Sequence, residues 1–150
     1  MTDRIVVWIV ESIWPACVDA ARSYAPDDAE VVLLHVTGWE VADVAHGAYA
    51  GLLGRGHPRR DPGTRLEDLG AAAARRLLDD AAARLGRPCV KLERSGRVET
   101  EVLAVADGAT LLVQGRDGDT GHPGPHSLGH AGRFILDHAT CPVLLIWPDG

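Results

Sequence analysis

Ile5-Val6-Val7-Trp8-Ile9-Val10 is an unbroken apolar run close to the start of the chain. A strand with one wet face alternates apolar and polar residues. A continuous run buries both faces, as in a parallel sheet held between helical layers. Three further runs repeat the pattern: Val31–Val36 (VVLLHV), Thr110–Val113 (TLLV) and Val143–Trp147 (VLLIW). A fifth, Cys89–Arg94 (CVKLER), alternates, with Val90 and Leu92 apolar between Lys91 and Glu93. That suits an edge strand with one wetter face.

Helical patterns fill the gaps. Pro15 stands at a first-turn position of a segment running to about Tyr24, and Pro26 blocks its continuation. Leu66, Leu69, Ala73, Leu77, Ala81 and Leu85 recur at helical spacing over Arg65–Leu85. Thr64 and Glu67 read as a capping box, and Gly86 and Pro88 as a stop. Val98, Val102 and Val105 mark a shorter helix over Val98–Ala106. Ala131, Phe134, Ile135 and His138 share a stripe on a last helix over about Gly129–His138. The order βαβαβαβαβ predicts a single doubly wound α/β domain over residues 1–150. Gly47–Gly63, rich in Gly, Pro and Arg, is expected to be a mobile surface loop.

Composition narrows the function. At 150 residues, 46% hydrophobic and 24% charged, the chain has enough apolar surface for a packed core. Its 15 Lys+Arg against 21 Asp+Glu leave a net charge of −6, which argues against nucleic-acid binding. Lys91 is the sole lysine, so a Walker A loop is excluded. Cys17, Cys89 and Cys141 are scattered, odd in number and without a CxxC pair, which points to a reduced, cytoplasmic setting. Six apolar residues at the N-terminus are too few for a signal segment or a membrane span.

Catalytic patterns are lacking. Ser127 beside His126 is not a triad, and no Gly-x-Ser-x-Gly turn occurs. Asp117-Gly118-Asp119 lacks the remaining ligands of a calcium loop. His122, His126 and His130 repeat every four residues, but Gly121, Pro123, Gly124 and Pro125 argue against a helix that would align them on a metal. No metal is expected, and an enzymatic activity is not argued. His35, within an apolar strand, reads as a satisfied core histidine.

In open α/β sheets, ligands sit beyond the carboxyl ends of the strands where strand order reverses. The fourth strand runs into Gly115-Arg116-Asp117-Gly118, and a helix starts near Gly129. Free N–H groups of a glycine-rich turn and a helix N-terminus together suit an anion.

At this point the sequence resembles the universal stress protein family. The resemblance rests on the first strand and its helix, on Leu33-Leu34-His35-Val36, and on Gly-x-x-Gly at 115 and 118. It rests above all on the closing Gly129…Phe134-Ile135-Leu136-Asp137-His138-Ala139-Thr140-Cys141-Pro142-Val143-Leu144-Leu145-Ile146. It implies an adenine nucleotide alpha hydrolase-like fold with strand order 3-2-1-4-5, frequent dimerisation, and ATP or AMP binding in one branch. A bare Val143–Trp147 edge would be a template for aggregation, so a homodimer through the last strand is expected. Site positions carried over are Glu11 near the ribose, Val36 at the adenine, and Gly115, Gly118, Gly129 and His130 around the phosphates, where Arg116 or Arg133 would add the positive charge that the lysine-poor chain otherwise lacks. The chain departs from the nucleotide-binding pattern at three points. Glu11 stands near where an aspartate is usual, ten residues rather than nine separate Gly118 from Gly129, and His130 replaces a hydroxyl residue. The same resemblance therefore leaves a second reading, a member without nucleotide that works through its dimer and protein partners. Glu11 also has a plain structural reading, as a cap for the helix near Pro15.

Overall fold

The computed structural model describes residues 2–38, 62–116 and 128–148, with the backbone alone for 62–68. Among the described residues five strands and four helices alternate. In chain order they are β1 (Arg4–Trp8), α1 (Trp14–Tyr24), β2 (Glu30–Gly38), α2 (Pro62–Leu85), β3 (Val90–Gly96), α3 (Val98–Ala106), β4 (Leu111–Gly115), α4 (His130–His138) and β5 (Val143–Ile146). The strands form one sheet of order β3-β2-β1-β4-β5, and all four pairings are parallel. This is the order that the resemblance implies, with β3 and β5 at the edges.

The continuous apolar runs are buried on both faces. Ile5, Val7, Val31, Leu33 and Val113 face one layer, where α1 and α2 contribute Val18, Ala21, Leu78, Ala81 and Leu85. Val6, Val32, Leu34, Val36 and Leu112 face the other, against Val102 and Val105 of α3 and Ile135 of α4. Strand order reverses between β1 and β4, so the connections after those two strands leave to opposite faces.

Two helical stripes are phased differently from the sequence expectation. On α2 the buried line is Ala74, Leu78, Ala81 and Leu85, while Leu69 is 67% exposed. The helix also opens at Pro62, two residues before the expected Thr64 cap, and the side chains of Thr64 and Glu67 lie outside the described residues. On α4 the buried residues are Gly132 and Ile135. Phe134 and His138 stand outside, stacked on each other with ring centroids 4.0 Å apart. The edge strand β3 is wetter than its alternation suggests, since Val90 is 45% exposed. Trp8 and Trp14 pack against the two core layers, while the loop expected at Gly47–Gly63, up to residue 61, lies outside the described residues.

One ion-pair network ties α1 to α2. Arg84 makes two hydrogen bonds to the Asp19 carboxylate, at 2.9 and 2.8 Å, and Arg22 adds a third at 3.1 Å. The Arg84 hydrogen bond, followed by the two guanidinium charges, holds the Asp19 carboxyl below its ordinary value. A carboxyl whose affinity for protons is lower when folded stabilises the fold above its unfolded pKa, and that contribution is lost as pH falls through the folded value. Asp19 is 39% exposed, so solvent and salt screen the effect. We therefore expect Asp19→Asn to lower stability slightly near neutral pH, with the deficit vanishing in acid and shrinking in high salt. Denaturant melts across pH check this, and a deficit that grows in acid would contradict it.

Candidate functional site

Beyond the carboxyl ends of β1 and β2 the chain forms a cleft of about 570 Å³. Glu11 follows β1. His35, Val36, Thr37 and Gly38 end β2, and Gly70, Ala73, Ala74, Arg76, Leu77 and Asp80 form a wall on α2. The wall can approach because Gly70 and the alanines keep it low. A Cβ at Gly70 would stand 3.9 Å from the Thr37 methyl.

Glu11 does not cap α1. The residue before that helix is Ile13, and no side chain caps it. The chain turns instead through backbone bonds from Ile13 N–H and Trp14 N–H to the Val10 carbonyl, at 3.1 and 2.9 Å. That turn leaves Glu11 exposed at the cleft mouth. His35 Nδ1 lies 2.8 Å from the Ile9 carbonyl oxygen. A carbonyl only accepts, so Nδ1 carries the proton and donates. In the neutral ring Nε2 is then an acceptor. The histidine is thus satisfied, as its sequence context suggested, and it also lines the cleft.

The structure brings together two of the expected site residues, Glu11 and Val36. Gly115 ends β4, paired with Ile146 of β5. A Cβ there would fall 2.9 Å from Ile13 Cγ1, so the Ile13 side chain rests on the glycine. Arg116 donates its N–H to the Ile146 carbonyl at 2.7 Å, and its guanidinium lies over the Trp147 ring, 5.0 Å from the centroid. Gly129 is the residue before α4, and His130 is its exposed first residue. None of Gly115, Arg116, Gly129 and His130 lines the cleft. Gly118 lies outside the described residues, as do His122 and His126.

Sequence reasoning missed the α2 wall, with Arg76 and Asp80, and it missed Gln114. Gln114 is fully buried on β4. Its Nε2 donates to the Gly132 carbonyl at 3.1 Å, while its Oε1 has no partner among the described residues. The three cysteines give no activated nucleophile. Burial pushes the Cys17 thiol up to about 12 and raises Cys89 and Cys141 as well. Among the described residues no group of three His, Cys, Asp or Glu side chains is clustered to hold a metal, and no helix is long and apolar enough to cross a membrane.

No protein-family model matches the sequence, and no curated protein matches it. Solved structures do. A protein of the universal stress protein family from Burkholderia pseudomallei is 27% identical, with 97% of this chain and 96% of that one covered and a TM-score of 0.63. A universal stress protein in complex with cAMP is 16% identical, with 98% of each chain covered and a TM-score of 0.63. The universal stress protein from Archaeoglobus fulgidus in complex with dAMP is 16% identical, with 96% and 97% covered and a TM-score of 0.57. Over nearly its whole length this chain has the fold of the universal stress proteins.

Proposed function

We propose that this chain is a stress-associated cytoplasmic binding protein whose cleft takes an adenine nucleotide, with ATP and AMP the first ligands to test. The observation that carries the reading is the cleft itself, which puts Glu11 and Val36 around one space. Its volume of about 570 Å³ suits a small-molecule ligand. The Val36 side chain is packed in the α3–α4 layer, so Val36 borders the cleft as part of the end of β2, and the Glu11 carboxylate accepts hydrogen bonds from ribose hydroxyls. Two structures of the same fold carry adenine nucleotides, cAMP and dAMP, which supports a ligand of this class here. Mass spectrometry of the purified protein, denatured to release bound small molecules, is the direct test. A co-purified adenine nucleotide is expected. Its absence, together with no heat on titration, would overturn the reading.

A second reading is favoured by a specific contact. Ile13 occupies the surface of Gly115, where a phosphate would need the bare backbone. A member without nucleotide would act through its dimer and partner proteins. In either case the dimer is proposed to form through β5. Its outer edge has no strand beside it among the described residues, and Val143–Ile146 are only half-buried. Such an edge is a template for pairing, and a symmetry mate would cover it. Light scattering should give twice the chain mass at ~100 μM, where a standard-size interface holds. A monomer mass would contradict it.

A further inference from the structure

We draw no further inference here: the strongest candidate, the groove of about 520 Å³ between α1 and the end of β5 that Pro15, Ala20, Ile146 and Trp147 line, carries nothing beyond the β5 dimer already proposed, since nothing in the structure shows what covers it.

Discussion

Ile135→Ala is expected to cost about 2–5 kcal/mol of stability, and Phe134→Ala less than about 1 kcal/mol, although the two residues are adjacent on α4. Ile135 is fully buried in the layer that holds Val6, Leu34, Val102 and Leu112. Removing its side chain beyond Cβ loses the transfer energy of three carbons and leaves a cavity under a helix of only nine residues. Phe134 is 37% exposed, and its ring is stacked on His138 at 4.0 Å with the planes 16° apart. Truncation there removes the stack and leaves no cavity. Urea melts of both variants check the pair: the midpoint of Ile135→Ala should fall by about 1 M or more while that of Phe134→Ala barely moves. Equal losses would mean that α4 sits on the sheet through the stripe first expected from the sequence, which includes both residues.

Gly115→Val is expected to cost about 1–3 kcal/mol by overpacking. The cost is purely steric. Positive backbone φ among the described glycines occurs at Gly86, Gly96 and Gly108, not at Gly115. A Cβ at this position would stand 2.9 Å from Ile13 Cγ1 and 3.1 Å from Ile13 Cβ, and Ile13 is itself buried. Ile13→Ala alone should also destabilise, by about 2–4 kcal/mol, through a cavity at the turn between β1 and α1. In the double variant the valine fills the space that the alanine opens, so the combined loss should fall short of the sum by about 1 kcal/mol or more. Strict additivity in denaturant melts would show that the two side chains do not compete for one space.

Most of the fold was legible because its strands are written as unbroken apolar runs. Ile5–Val10 and Val31–Val36 admit no arrangement with a wet face, and the alternating Cys89–Arg94 correctly pointed to an edge. The helix phases were less legible, for a physical reason. Ala71–Ala74 and Ala81–Ala83 make several faces of α2 similarly apolar, so the buried line through Ala74, Leu78, Ala81 and Leu85 depends on what the sheet presents to it. On α4 an aromatic ring looked like a core residue, yet small Gly132 lies inward, where the helix rests on Gln114. Gln114 itself was invisible as a buried residue, because a polar side chain at the end of an apolar run reads as the strand leaving the core.

The candidate site divides the same way. Glu11 and Val36 sit at strand ends, whose position follows from the topology of any doubly wound sheet. Arg76 and Asp80 reach the same space only because α2 packs across the end of β2, a long-range contact that no local spacing encodes. The glycines at 115 and 129 were correctly placed at the end of β4 and at the start of α4. What rests on the first of them is a side chain of the protein, and no local pattern marks Ile13 for that place.

An adenine ligand bound in this protein is expected to occupy the cleft between the end of β2 and α2. Ala73 lines that cleft from an exposed position on α2, so a tryptophan there fills the space without entering the core. Calorimetric titration of cyclic AMP into the wild type and Ala73→Trp is the most direct measurement. The wild type should bind with roughly micromolar affinity, about −8 kcal/mol, and Ala73→Trp should give no binding heat at an unchanged melting temperature. Equal heats from the two proteins would contradict the account by placing the ligand elsewhere, and no heat from the wild type would contradict it outright.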